Sequence, residues 1–557
     1  MTSSTRIFQK MWSTAWPLVF LVLSGISCQR DSDLTVSTTA GRLRGILVPT
    51  TAGPVRAFLG VPFAEPPIGS ARFKKPQQKK PWNGVFDATT FPPMCPQHPI
   101  QFNNYYLVKN SDRISEDCLF INVFAPINHK GSLKPVVVYI HGGFFSYGGI
   151  SMKLHDASEL SAREDLVVVT IAYRLGALGF LSVGTEDAPG NMGLHDQILA
   201  LRWIKSNANA FGGDADRITL IGQSAGAFSV GIHLISPKSK GLFRRAIMQS
   251  GSPFTSTLVN RKKDAAYGAG ELARALDCPS AMMMMQGGGA DAMLKCLRSK
   301  DVASILNATA SFTIEGLDGF FPVIGDDIIP GKPGDALRSG KLNARELLAG
   351  ISEAEGDGLI HFMAKKFYNT NDAEEVRKDS MIFVARGTMI TLLGFDSKRA
   401  IDRYFNGSRV QGGTDALHAA ADLIGDSQLG CPTVGFAKRF VNPDTRVFMY
   451  KFSQQPSRVN WPKWVRPTHT DEIAFALGSI FKLDPEISLD DVRAAENFMH
   501  IISTFSRTGV PRVKDRTSWP KFDQQQRYMN IQKQGNFPGK NLLYSTCDMW
   551  ERVSPYD

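Results

Sequence analysis

Cysteine is scarce in this chain, with 7 among 557 residues, and none stands in a C-x-x-C pair or within a cluster of histidines. That excludes the familiar zinc-binding spacings and a thioredoxin-type redox pair. Long apolar runs are also missing. Beyond the N-terminal segment nothing approaches the ~20 successive apolar residues that span a bilayer, and Val553 to Asp557 form neither a hydrophobic anchor signal nor an ER-retention tetrapeptide. No transmembrane anchor is therefore expected. Repeats, obvious linkers and nucleic-acid-binding motifs are absent, and only Met282 to Gly289 approaches low complexity. Basic residues outnumber acidic ones, 63 to 52, for a net charge of +11 that is densest from Arg72 to Lys80. With no motif beside it, that patch reads as a solvated loop, and no nucleic-acid partner is expected.

What is present is a globular composition, 43% hydrophobic and 10% aromatic, in a chain long enough to bury a large core. Residues 1–28 read as a secretory signal peptide. Arg6 and Lys10 precede the apolar stretch Trp16 to Leu23, which is too short to span a membrane, and small Ser24, Gly25 and Ser27 follow. The mature protein, residues 29–557, is expected to be one secreted domain, since large α/β folds exceed ordinary domain lengths. Apart from Cys28 at the cleavage site, the cysteines form an even set suited to an oxidising compartment, with a pairing that spacing alone leaves open. They are Cys95, Cys118, Cys278, Cys296, Cys431 and Cys547. Asn307-Ala-Thr309 and Asn406-Gly-Ser408 are candidate glycosylation sites.

From Leu34 to about Lys134 the chain is rich in strand and turn signals. The pattern then changes. Val136 to Ile140 and Leu166 to Tyr173 are continuous apolar runs, as strands buried on both faces should be. Helical spacing of Leu194, Ile198, Leu201 and Ile204 predicts a helix from Asn191 to about Ala208, stopped by Phe211 to Asp214. Further strands are expected at Ile218 to Ile221, Ala246 to Gln249, Leu347 to Ile351 and Val447 to Lys451. Strands alternating with helices imply a mostly parallel, doubly wound sheet with helices on both faces, and a site at the carboxyl ends of its strands.

At that edge the strand ending in Ile221 runs into Gly222-Gln223-Ser224-Ala225-Gly226, and small and apolar residues follow that can open a helix. In this context G-x-S-x-G makes a tight strand-to-helix turn that lifts a serine hydroxyl off the sheet. Serine is a poor nucleophile without a base and a group to orient that base. In such folds the acid and then the histidine follow the serine in the chain. His469, just before a helical segment, can approach the sheet edge, and His361, His418 and His500 are the other late histidines. Glu355 lies in the loop after Ile351, with Glu353 and Asp357 as close competitors. Backbone N–H groups after Ile140, in His141-Gly142-Gly143, together with that of Ala225, can converge on one developing oxyanion.

Several ordered motifs resemble the type-B carboxylesterase/cholinesterase family of α/β-hydrolases, closest in type to animal carboxylesterases. They include Phe58 to Gly69 with Arg72 and Phe73, Ser115 to Val123, Tyr173 to Phe180, Gly190 to Gln197, Phe211 to Asp214, the serine turn, and Gln249 to Ser252. The resemblance implies an α/β-hydrolase fold and a catalytic triad of Ser224, Glu355 and His469. It also implies an oxyanion hole from Gly143, Phe144 and Ala225, disulfides Cys95–Cys118, Cys278–Cys296 and Cys431–Cys547, and ion pairs Arg72–Glu116 and Arg174–Asp196. No metal or organic cofactor is implied.

Phe144 stands where the family usually has glycine or alanine, so its ring is expected to narrow the site. No tryptophan lies between Cys95 and Cys118 to meet a choline cation, and neutral Gln223 stands where cholinesterases carry glutamate. The expected substrate is therefore an uncharged carboxylic ester. Gln223 with Asp196 and Gln197 also resembles juvenile hormone esterases, although Arg466 departs from their usual glycine. The alternative outside enzymology is a non-catalytic adhesion or ligand-sequestering protein of the same family.

Overall fold

The computed structural model describes residues 34–109, 111–127, 131–279, 289–310, 319–365, 369–406 and 410–553. The expected signal peptide at 1–28, Met282 to Met285, and Gly407 and Ser408 of the second glycosylation tripeptide lie outside the described residues.

The apolar runs become strands of one sheet. In chain order these are β1 (Ile46–Val48), β2 (Val55–Pro62), β3 (Phe120–Pro126), β4 (Lys134–Ile140), β5 (Val167–Ile171), β6 (Gly213–Gln223), β7 (Arg245–Gln249), β8 (Glu346–Ser352), β9 (Arg446–Ser453), β10 (Tyr528–Gln532) and β11 (Gly535–Gly539). They form an 11-stranded sheet in the order β11-β10-β9-β8-β7-β6-β4-β5-β3-β2-β1. From β5 through β4 and on to β10 every neighbour is parallel. The flanks, β11 on one side and β3, β2 and β1 on the other, pair antiparallel. Every residue of β7 and all but the first of β8 are buried, which explains why these segments are continuously apolar.

Helices pack around this sheet. Those that frame the site are α1 (Met192–Asn207), α2 (Ala225–Ile235), α3 (Asp357–Ala364), α4 (Gly413–Gly425), α5 (Cys431–Phe440), α6 (Asp471–Ala476), α7 (Leu489–Thr508) and α8 (Tyr544–Val553). The helix predicted over 191–208 is α1, entered through Asn191 in the left-handed conformation. The amide of Asn191 donates to Val323 O and to Asp326 Oδ2, each at 2.8 Å, which holds that entry in place. Nearly all of α2 is buried, and its two polar side chains, Ser229 and His233, are hydrogen-bonded inside the protein, so it belongs to the core rather than to a surface. On α7, Phe498 packs against Tyr450 and Phe452 of β9.

Cys95–Cys118, Cys278–Cys296 and Cys431–Cys547 are bonded. Arg72 makes two 2.7 Å bonds to Glu116, and its remaining nitrogen donates to the carbonyls of Leu297, Arg298 and Lys300. One guanidinium thus joins the first disulfide loop to the chain leaving the second. The basic stretch Arg72 to Lys80 is less solvated than its charge suggests. Phe73 is fully buried, and Lys74, Lys75 and Lys79 pair with Asp187, Asp327 and Glu65.

Arg174 holds Asp196 through bonds of 2.8 and 2.7 Å, with both side chains almost completely buried. Arg174→Ala leaves a buried carboxylate without its counter-charge and is expected to lower unfolding free energy by about 3–5 kcal/mol. Chemical denaturation measures this, and a loss below about 1 kcal/mol, the range of an exposed pair, contradicts it.

Candidate active site

The turn between β6 and α2 places Ser224 at φ 57°, ψ −123°, a backbone geometry that a non-glycine residue holds only when its surroundings enforce it. Three contacts do so. A Cβ on Gly222 would stand 2.3 Å from Gly226 O, and one on Gly226 would stand 2.0 Å from Ile140 O. The N–H of Ser224 donates to Gln249 O on β7 at 2.8 Å. Glycines are thus required on both sides of the serine, and the hydroxyl is carried to the carboxyl edge of the sheet.

The loops after β8 and β9 meet beside it. His469 Nδ1 lies 2.9 Å from Glu355 Oε2, both side chains are almost fully buried, and Glu355 Oε1 accepts the N–H of Ser352 at 2.7 Å. A carboxylate only accepts, so Nδ1 carries the proton and Nε2 presents a lone pair. Gln223 Nε2 lies 3.3 Å from that lone pair. Among the described residues no hydrogen bond joins Ser224 Oγ to His469, although both line the same cleft.

The histidines and acids that spacing left open separate by their partners. His361 bonds Thr370, His418 bonds the carbonyl of Trp464, and His500 faces Glu164 at 3.8 Å. Glu353 faces Lys451 at 3.8 Å. Asp357, fully buried, accepts from Arg466 through Nε at 3.0 Å and Nη2 at 2.7 Å, and Arg466 also reaches Asp422 at 2.5 Å. Arg466 and Asp357 belong to the loops that carry His469 and Glu355. Their ion pair therefore clamps the two loops together, helped by Thr468 Oγ1 donating to Ala354 O at 2.7 Å.

The turn after β4 forms the opposite wall. Gly143 has φ 109°, and a Cβ there would stand 2.2 Å from Tyr147 O, so this position requires glycine. Phe144 and Phe145 follow in the left-handed region at φ 55° and 61°. Phe145 is buried against Phe180 and Phe228, which holds the turn down. Among the described residues no backbone carbonyl accepts from the N–H groups of Gly143 or Phe144, and Ala225 opens α2, where the first N–H groups lack intrahelical acceptors. His141 stacks on Tyr173 at 4.5 Å, and burial pushes its imidazole down to about 3, so it stays neutral.

The resulting cleft is small. Its volume is about 30 Å³, and Ile100, Phe102, Tyr106, Phe144 and Tyr147 surround Ser224, Gln223 and His469. Phe144 lines it, as its position in the sequence predicts. Phe102 and Tyr106 come from the first disulfide loop, far from the serine in the chain. The aromatic run there was the only available signal, and spacing gave it no place. Glu472 was also missed as a functional group. It is fully buried, and burial first, then the charge of Glu355, push its carboxyl up to about 7 against the opposing effect of His469. Burial likewise raises the neighbouring Asp471 to about 8, although Trp461 and the Thr468 N–H both donate to it.

Comparison with known proteins agrees with this architecture. Residues 32–550 match the model of the Carboxylesterase family. The chain is 34% identical over 576 residues to a cholinesterase of Mus musculus, covering 100% of this chain and 92% of that protein. It is 31% identical over 592 residues to an acetylcholinesterase of Electrophorus electricus, covering 97% and 92% respectively. A sheet of this order, a serine on a glycine-bounded turn and a family match spanning nearly the whole sequence lead to one conclusion: the chain belongs to the carboxylesterase family of α/β-hydrolases.

Proposed function

We propose that this protein is an exported serine esterase that hydrolyses uncharged carboxylic esters through an acyl-enzyme. The observation that carries this reading is the Glu355–His469 bond, which leaves the Nε2 lone pair facing the cleft that holds Ser224. Substrate entry displaces the Gln223 amide from Nε2, and the serine hydroxyl takes its place. Ser224 Oγ then attacks the ester carbonyl while His469 removes its proton. Glu355 holds the tautomer and stabilises the imidazolium. The N–H groups of Gly143, Phe144 and Ala225 hold the oxyanion. His469 returns the proton to the leaving alcohol, and water, activated by the same base, releases the acid and restores Ser224.

Apolar and aromatic side chains with neutral Gln223 line the cleft, and none of the lining carboxylates or ammonium groups that would select a charged ester is present among the described residues. The rings of Phe102, Tyr106 and Phe144 beside Ser224 favour a short acyl group. Three disulfides support passage through an oxidising compartment, and Asn307 and Asn406, both exposed, are the proposed glycan acceptors. No helix among the described residues is long and apolar enough to cross a membrane.

An organophosphate is expected to label Ser224 stoichiometrically and abolish hydrolysis of p-nitrophenyl acetate. Ser224→Ala should lower kcat on the order of 10⁶-fold and Glu355→Gln about 10⁴-fold. An intact protein that neither labels nor turns over short esters overturns the reading.

Phe144→Gly removes both the ring and the left-handed strain. The kcat/KM ratio of p-nitrophenyl octanoate to acetate is expected to rise at least about 10-fold, the effect of a few added methylene contacts. An unchanged ratio shows that Phe144 does not set acyl length.

Glu472 binds its proton more tightly in the folded protein than its ordinary value of 4.5 allows. Its contribution to stability is complete below about 4.5 and is lost as pH rises towards 7. Glu472→Gln cannot ionise. The melting temperature of the variant relative to the parent should therefore climb between those pH values by a few degrees and then level off. A difference that stays flat with pH contradicts the raised value.

A further inference from the structure

A groove of about 570 Å³, much larger than the catalytic cleft, shares none of that cleft's lining residues. It is bordered by the same disulfide loop. Phe102 and Tyr106 face the cleft, whereas Asn104, Tyr105 and Leu107 line the groove. Met94, Leu107, Met152 and Leu483 give it apolar walls. Lys109, Arg113 and Lys153 also line it, all three exposed, and no carboxylate among the described residues lies within ion-pairing distance of any of them.

The other charges in the lining offset this excess only in part, since Asp112 cancels one of the three and leaves a net excess of two. Lys482 is already paired with Asp156 at 2.9 Å. Asp112 uses one carboxylate oxygen to accept the backbone N–H of Lys109 at 2.8 Å. Among the other described basic residues some are paired, as at Lys74, Lys75 and Lys79, and others, such as Lys262 and Lys332, are exposed without an ion pair; what sets this group apart is its place around one concavity. Exposed cations in excess at the border of an apolar concavity leave an anionic group favoured there over a neutral or cationic one. The volume falls in the range of small-molecule sites, where apolar walls supply affinity and a few charged groups fix orientation.

We propose that this groove binds an amphipathic organic anion, a carboxylate or sulfate head on an aliphatic body, with Lys109, Arg113 and Lys153 at the head and Met94, Leu107, Met152 and Leu483 along the body. This does not depend on the esterase reading.

The full-length protein is irradiated with a diazirine-bearing dodecanoic acid, and the cross-linked peptides are mapped by mass spectrometry. Label, assigned to single residues because neighbouring Tyr106 lines the cleft, is expected on Met94, Asn104, Tyr105, Leu107, Lys109 or Met152. Unlabelled dodecanoate should remove it, while equal concentrations of inorganic sulfate or dodecanol should not. Lys109→Gln/Arg113→Gln/Lys153→Gln is expected to cut groove labelling about 5- to 10-fold, the effect of losing a few weak, exposed charge contacts. Lys109→Arg/Lys153→Arg, which keeps the charges, should retain it. Far-ultraviolet circular dichroism checks that each variant is folded. Label confined to peptides around Ser224 and His469 overturns the proposal. So does competition by sulfate alone, which indicates a plain anion patch, or competition by dodecanol, which indicates an apolar pocket indifferent to charge. Labelling that survives removal of the three cations overturns it as well.

Discussion

The hydrogen atom that Gly226 carries in place of a side chain lets α2 approach the end of β4 to within van der Waals contact of the Ile140 carbonyl. Much of the site follows from that approach. It brings Ser224, which precedes α2, beside the turn that contains Gly143 and Phe144, so that residues from two separate strand ends line one cleft. It also lets Ser224 adopt a backbone conformation that no isolated peptide would favour. The parallel register from β4 to β9 then brings the loops that carry Glu355 and His469 to the same edge.

The clamp between those loops is an ion pair, Arg466 with Asp357. Arg466 and Asp357 are close in space only because β8 and β9 are neighbours, and their pairing is strong because Asp357 has no access to water. Nearby carboxyls at Asp422 and Asp426 are pushed upward by burial, Asp426 to about 7. Electrostatic order behind the site therefore depends on one guanidinium. A histidine close to it, His418, is 3.7 Å from Asp357 and is committed to the Trp464 carbonyl.

Sequence periodicity was sufficient for the parallel sheet because strands buried on both faces must be apolar without interruption, as in Val136 to Ile140 and Leu347 to Ile351. The serine turn was equally legible, since only glycine fits at 222 and 226. What the bare residues left open were choices made by three-dimensional proximity. The loop position of His469 favoured it over the other late histidines without excluding them, and Glu355 kept Glu353 and Asp357 as close competitors. Resemblance to a family resolved these choices, and in the structure His469 bonds Glu355 while Asp357 bonds Arg466. Cys431 and Cys547 show the same limit, being 116 residues apart. The contact between Gln223 and His469 had no sequence signal at all, because it depends on a side-chain amide settling across 246 positions of chain.

That amide has a kinetic meaning. On the proposed reading, the base of the free protein is already occupied, so nucleophilic power arises only in the complex that dislodges one hydrogen bond. Gating of this kind needs no moving lid and no change of fold. It operates at the scale of a single rotamer, on the nanosecond timescale of side-chain motion. An electrophile that enters without displacing Gln223 meets an unactivated hydroxyl. Selectivity then rests on how a ligand fits against the amide as well as on whether it fits the cleft, and the residue preceding the nucleophile becomes a chemical filter.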